Sequence, residues 1–483
     1  MDNWILKIVA PALISLICTS AATWKLIIKK SDPGGFIINI TYFTFFESFA
    51  LNPFNVSDFR AELNRFSESD IFLGLVLTYS LPILLFISIG LWRRVLSGAS
   101  NRFSNFSWRG VNKSSFEKCL LITYVALLCA VALPNIIWGG FFVSAFRQVM
   151  MGYSIGDDGG EAFQGAAGAG VSLISLQNIS PSALILALLL LKTRHRVFAL
   201  CTLPLCFLWS APTLLGGTRS YFVGLIIVGL FCLLTDPRVR LKGLLYVGMC
   251  GIVIAAFAGA IVQFRTGGWQ SLSTESIDRG AMTKFQGNEC IIYHIEAISF
   301  HKTGYVSPWQ NGNPIVDLGL GLLYLPADAL LIWVPRSLFP WKPLDPSWEP
   351  YNAKTWAWQT GLSEATWTRT YSAGFLGRDI IRWGAAGFLV PVFWFGLFLW
   401  SAEQLYRYGE GHLVHRIIVG IMGGTFLVLM RDVNFMWFLP MMPAAFALLF
   451  SIRMAKATSE GVRPARRPRH WERPIRMARP VRY

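Results

Sequence analysis

The sequence predicts an all-α, polytopic integral membrane protein. Three observations carry that prediction. Hydrophobic residues make up 54% of the 483 residues and charged residues only 14%, against about 45–50% and about 25% in a soluble domain. Mean hydropathy is +0.47. The apolar residues fall in blocks of about 20, the length a helix needs to cross a bilayer. Together these exclude a soluble enzyme, a disordered chain and a secreted disulfide scaffold.

Taken in order, the blocks give eleven spans. They are Ile5–Trp24, Phe36–Phe54, Ile71–Trp92, Cys119–Phe142, Gly168–Leu191, Val197–Leu215, Ser220–Thr235, Gly243–Phe264, Ile380–Leu399, Ile417–Met430 and Phe435–Ile452. The first is too long for a signal-peptide core and lacks a small-residue cleavage site, so it reads as a retained helix. The second is the most polar, with Thr, Tyr and Glu47 among its phenylalanines. The tenth is short. No internal repeat is visible, so residues 1–452 read as a single membrane domain.

Charge orients the spans. Segments after odd-numbered spans are basic: Lys25, Lys29 and Lys30; Arg93, Arg94, Arg102 and Arg109; Lys192, Arg194 and Arg196; Arg238, Arg240 and Lys242; Arg407 and Arg416. Segments after even-numbered spans are acidic or balanced, as at Asp58, Glu62, Glu68 and Asp70. The positive-inside rule then places the basic side in the cytoplasm and the N-terminus outside. The arginine- and proline-containing stretch 453–483 is expected to be a disordered cytoplasmic tail on the anionic inner leaflet. The net charge of +16 is therefore a topology signal, and no nucleic acid is expected as a partner. Seven of the eight cysteines lie in or beside apolar blocks, which argues against a disulfide framework, and no spacing suggests a metal site.

One segment is longer than any other connection. Residues 265–379 read as a large external loop between the eighth and ninth spans, and long loops in compact proteins are usually functional. Its apolar middle, Leu318–Val334, is interrupted by Pro326 and Asp328 and reads as a helix in the outer interface. The loop is rich in tryptophan, including Trp341, Trp348 and Trp356. An interfacial aromatic belt explains these as well as sugar binding does. The apolar face of a pyranose lies on an aromatic ring while its hydroxyls need polar partners. Glu349, Tyr351, Asn352, Lys354 and Gln359 supply such partners around Trp348 and Trp356.

Two stretches carry a family resemblance. Gly216-Gly217-Thr218-Arg219-Ser220 opens the seventh span, and Val334-Pro335-Arg336-Ser337-Leu338-Phe339-Pro340-Trp341-Lys342-Pro343 lies in the long loop. Weaker matches are Arg431-Asp432, and Gly374-Phe375-Leu376-Gly377 followed by Trp383-Gly384. From Leu205 onward the chain resembles the Wzy-type (O-antigen) polymerases of bacterial polysaccharide repeat units, relatives of the O-antigen ligases. The resemblance implies a bacterial inner-membrane glycosyltransferase with its site facing the periplasm. It would transfer a glycan from undecaprenyl diphosphate to another undecaprenyl-diphosphate-linked oligosaccharide. No metal or cofactor is implied. The partners are the lipid bilayer and a separate chain-length regulator.

The residues fit such chemistry. A departing lipid diphosphate needs fixed cations, and arginine binds phosphate oxygens in pairs. Arg219, Arg265, Arg336 and Arg431 fall at the expected outer boundary, and Lys342 is held between two prolines. Each would otherwise snorkel to the interface or pair with a nearby acid. For a general base the leading candidates are His294 and Glu296, which on a helix point to different faces. The rival readings are an O-antigen ligase, a metal-dependent lipid-phosphosugar glycosyltransferase using Asp58 and Glu62, and a transporter of the same lipid.

Overall fold

The computed structural model describes residues 3–29, 31–47, 63–137, 179–211, 220–236, 238, 245, 288–304, 307, 310–331, 374–409, 411–430 and 440–461. Among these, all regular structure is helical. The α-helices are α1 (Asn3–Lys29), α2 (Pro33–Tyr42), α3 (Glu68–Val95), α4 (Lys113–Ile137), α5 (Ser180–Leu190), α6 (Arg196–Ala211) and α7 (Ser220–Leu234). They continue with α8 (Asn288–Lys302), α9 (Pro314–Leu331), α10 (Gly374–Trp383), α11 (Leu389–Tyr408), α12 (Leu413–Leu429) and α13 (Met442–Gly461). Among the described residues, Val9–Lys29, Glu68–Val95, Lys113–Leu133 and Ala385–Tyr408 are long and apolar enough to cross a membrane. That is the signature of a helical membrane protein. It is four such helices, not eleven; the other apolar helices are shorter, and the expected span Gly243–Phe264 lies almost wholly outside the described residues.

Local sequence sets the ends of the long helices. Ser67 caps α3 by accepting from the Asp70 amide, and Glu68 and Asp70 stand at its positive end with Arg93 and Arg94 at its negative end. Asp32 caps α2 from a left-handed backbone, φ 61°, with Pro33 at the first helical position. Residues Phe43–Glu47 then widen α2 into a π-helical turn.

Packing uses both large and absent side chains. α7 and α12 pack closely through Gly224, Gly420 and Gly424. A β-carbon on Gly424 would strike the Gly224 carbonyl, and one on Gly420 would lie 3.1 Å from Val228 Cα. Small residues let backbones approach where lipid offers no hydrophobic drive to associate. Lipid-facing positions of α1 and α3, such as Ile17 and Ile83, remain exposed.

Three differences from the sequence reading matter. The stretch 265–379 is not wholly an external loop: α8 is inside the bundle, packed against α3 and α10, with Ile291 and Ile295 fully buried. Its polar residues suggested solvent, but they find partners on neighbouring helices. Second, the chain does not enter one helix at Ile380. α10 ends at Trp383, Gly384 turns the backbone at φ 82°, and Gly387 packs on the Asp379 carbonyl where no side chain fits. α11 then runs as a separate helix. Third, α13 continues through Arg453 to Gly461, so the start of the basic stretch is helical. The apolar piece expected as an interfacial helix is α9, whose Ile315 and Leu323 are exposed while Leu325 is buried.

Candidate functional site

The bundle has two chemically different ends. At one, the basic segments meet. Arg93 pairs with Glu403 at 2.9 Å, Lys25 with Asp32 at 2.7 Å, and Arg416 with Asp236 at 3.2 Å. Arg194 reaches Glu117 at 3.5 Å, and Lys456 donates to the Ser104 carbonyl at 2.8 Å. The Arg238 amide and the Arg416 guanidinium hold the Asp236 carboxyl below the usual carboxylate range. His412 caps α12 and stacks on Trp108 with ring centroids 3.6 Å apart. Burial, with His415 and Arg416 nearby, pushes its pKa down to about 4.

At the other end α8 and α10 lie side by side. They run in the same direction: Leu376 meets His294, and Gly384 lies beside His301. Lys302, at the end of α8, pairs with Asp70 in the first turn of α3. His294 sits deeper, on Thr78 of α3. Asp70 and Thr78 are eight residues apart, so His294 lies about 12 Å below the Asp70 layer along that helix.

The ring of His294 joins three helices. Its Nε2 accepts the Leu376 amide at 3.2 Å from α10. Its Nδ1 must then carry the proton, which it donates to Thr78 Oγ1 at 3.0 Å, and Thr78 in turn donates to the Gly74 carbonyl at 2.7 Å. Phe46 stacks on the ring at 5.4 Å. Both ring nitrogens are engaged and the residue is fully buried. Glu296 points elsewhere, as expected for a residue two positions along a helix, and accepts from Arg65 at 3.1 Å.

The most deeply buried Asp, Glu, Lys and Arg side chains among the described residues lie on α10. Arg378 is 0% exposed, and Asp379 and Arg382 are 1% exposed. Arg378 and Arg382 are four residues apart and share a helix face. The Arg382 guanidinium lies 4.7 Å from the centre of the Tyr324 ring on α9 and 5.8 Å from that of Trp383. Cation–π contacts of this kind are worth about 0.5–2 kcal/mol, more when desolvated. Buried charge costs several kcal/mol unless partners and hydrogen bonds offset it. Charged residues held inside a membrane bundle therefore tend to mark function. α10 carries them between apolar anchors, Phe375, Leu376, Ile380 and Ile381, all buried in the core.

Of the residues singled out from sequence, His294 and Glu296 are placed, and their side chains serve different neighbours. Arg219, Arg265, Arg336, Lys342, Arg431, Trp341, Trp348 and Trp356 lie outside the described residues, as do Asp58 and Glu62. Sequence reading passed over Arg378, Asp379 and Arg382. The signal was there: two arginines one turn apart in Gly374–Trp383, flanked by the glycine pairs of the family resemblance. Counting Arg378 and Asp379 as loop polarity, and placing Arg382 inside the span Ile380–Leu399, hid it. Among the described residues no three His, Cys, Asp or Glu side chains converge as a metal site would require. No family model, curated protein or solved structure matches this chain.

Proposed function

We propose that this chain is a membrane glycosyltransferase of the Wzy type, acting on glycans carried by undecaprenyl diphosphate in a bacterial inner membrane. In this reading its basic end faces the cytoplasm, and the α8–α10 end faces the periplasm. The observation that carries the reading is the pair of fully buried arginines on α10, Arg378 and Arg382. They lie between the His294 level and the charged layer at Asp70, the depth at which a lipid diphosphate would present its oxygens.

In the reaction an acceptor hydroxyl attacks the anomeric carbon of the donor glycan. The bond from that carbon to the diphosphate oxygen breaks, and the hydroxyl proton passes to a base. Charge grows on the departing diphosphate, so prearranged guanidinium groups in a low-dielectric site stabilise the transition state more than the ground state. Arg378 and Arg382 take that role, joined by Arg219, Arg265, Arg336, Lys342 and Arg431 from the adjoining segments. Glu296 is the proton acceptor. His294, with both nitrogens engaged, braces α10 against α3 and α8 as a positioning residue. Trp341, Trp348 and Trp356 supply the stacking surface for sugars. A membrane chain-length regulator would act on the growing product.

The test is the glycan ladder of a strain lacking the chain, complemented with wild type or with Arg378→Lys and Arg382→Lys. The polymerase reading expects lipid A core capped by a single repeat unit, with the ladder restored by wild type only. Core with no repeat at all, with lipid-linked polymer accumulating, would make the protein the ligase. Repeat units lacking one sugar would make it a metal-dependent transferase and move attention to Asp58 and Glu62.

A further inference from the structure

A cavity lies at the opposite end from α10, and the reading above makes no use of it. It has a volume of about 810 Å³ and opens where α1, α3 and α11 end and α2 begins. Lys25, Arg93 and Arg407 face it, with Asp32 and Glu403. The two carboxylates are already committed: Asp32 to Lys25 and to the Gly35 amide, Glu403 to Arg93. Arg407 is exposed and acts on Glu403 without the direct contact that Arg93 makes with it. The described wall is thus net positive, with three cationic side chains to two carboxylates. Its other side is apolar. Phe86 lines the cavity and is itself 42% exposed toward the outer face of α3, next to the lipid-facing Ile83 and Ile87.

The space exists because of a glycine. Gly90, near the C-terminal end of α3, lines the cavity, and a β-carbon added there would meet nothing within 4 Å. A glycine inside a helix is destabilising relative to alanine. Gly74, Gly224, Gly420 and Gly424 sit where another helix approaches closely, whereas Gly90, like Gly229 and Gly319, does not; of these three it is Gly90 that lines this cavity. Asp32, which holds Lys25 at the rim, is the only described non-glycine residue with positive φ. Strain of this kind persists where the surroundings fix it, and it clusters at sites that clamp a ligand.

We propose that this cavity holds the phosphate headgroup of an anionic phospholipid from the leaflet at the basic end. Arg407 and Lys25 take the phosphate oxygens, the headgroup fills the space over Gly90, and an acyl chain leaves past Phe86 along the exposed face of α3. Basic pockets between helices on the positive side of a membrane protein suit such headgroups. Both charge and apolar exit are needed, which favours a lipid over free phosphate. The inference is independent of the glycosyltransferase reading.

The test uses purified full-length protein, stripped by detergent exchange and offered phosphatidylglycerol, phosphatidylcholine or inorganic phosphate. Bound lipid is counted by native mass spectrometry. Wild type is expected to retain phosphatidylglycerol and not phosphatidylcholine. Gly90→Leu, which projects an apolar side chain into the headgroup space without altering a charge, and Arg407→Gln should each retain at least about fivefold less. Arg94→Gln, an exposed arginine outside the cavity, should retain as much as wild type. Gly90→Leu should melt no lower than wild type, since it removes a helix-interior glycine into open space. Retention unchanged in Gly90→Leu and Arg407→Gln overturns the site, as does equal loss in Arg94→Gln. Displacement of phosphatidylglycerol by equimolar inorganic phosphate overturns the lipid assignment.

Discussion

Two arginine pairs in this protein face opposite physical problems. Arg93 and Arg407 stand at the basic end, where the Arg93 side chain is 58% exposed beside Glu403 and Arg407 is likewise exposed. Arg378 and Arg382 stand on α10 with 0% and 1% exposure. The first pair can keep its charge in the headgroup layer, and such residues follow from topology alone. The second pair is held in the packed interior by a short helix that three neighbours fix in place. The same residue type is therefore routine at one end and costly at the other. In the proposed reading this buried pair holds a lipid diphosphate, whose charge is opposite to its own.

The comparison breaks most sharply at Arg378. Arg378→Lys keeps the charge and loses the planar fork. Transfer activity on a lipid-diphosphate donor should fall about 10²–10³-fold, the usual effect of removing one transition-state donor. Arg93→Lys should leave activity within about twofold. A comparable loss in both would remove the distinction between the ends.

Packing gives the next largest effect. Gly424→Leu places a side chain against the Gly224 backbone, and overpacking of this kind costs about 1–3 kcal/mol or more. Its melting temperature in detergent should drop by several degrees, while Gly90→Leu, with open space around it, should not.

His294→Phe separates bracing from catalysis. It leaves the Leu376 amide and the Thr78 hydroxyl without their ring partner, a loss of about 1–3 kcal/mol. Activity should fall while the shape of its pH profile stays as in wild type. Loss of the acidic limb of the profile instead would restore His294 as the proton acceptor.

At the basic end the effects are smaller. His412 has its pKa pushed down to about 4 by burial, below the ordinary 6.5. Below pH 6.5 the unfolded chain binds a proton that the folded chain refuses, so stability should decline from about pH 6.5 toward pH 4 and be unaffected above. His412→Asn, which can still cap α12, should flatten that decline in a melting series. Smallest of all, Lys25→Gln removes an exposed ion pair and should change stability by less than about 1 kcal/mol.

How much of this was legible depends on where the information sits. α3 could be read closely: the Ser67 cap, Glu68 and Asp70 at one end, Arg93 and Arg94 at the other, and an apolar run between. α8 could not, because a composition window sees Tyr293, His294, Glu296, His301 and Lys302 and reports a polar loop. Only the fold brings Thr78 and the Leu376 amide to His294. The boundary at α10 was missed for a related reason. Ile380 and Ile381 look like the start of a span, while the turn depends on Gly384 reaching a backbone region closed to other residues and on Gly387 lying against the Asp379 carbonyl. The buried arginines were visible as letters, but their burial belongs to tertiary structure.

The most direct measurement is binding of an undecaprenyl-diphosphate-linked repeat unit to the purified protein in nanodiscs, by displacement of a labelled lipid diphosphate. Wild type is compared with the double variants Arg378→Lys/Arg382→Lys and Arg93→Lys/Arg407→Lys. The account predicts at least about tenfold weaker binding for the α10 pair, equivalent to about 1.4 kcal/mol, with the basic-end pair unchanged. Equal affinity in the α10 variant, with its fold intact by melting temperature, would contradict the claim that these buried arginines hold the diphosphate.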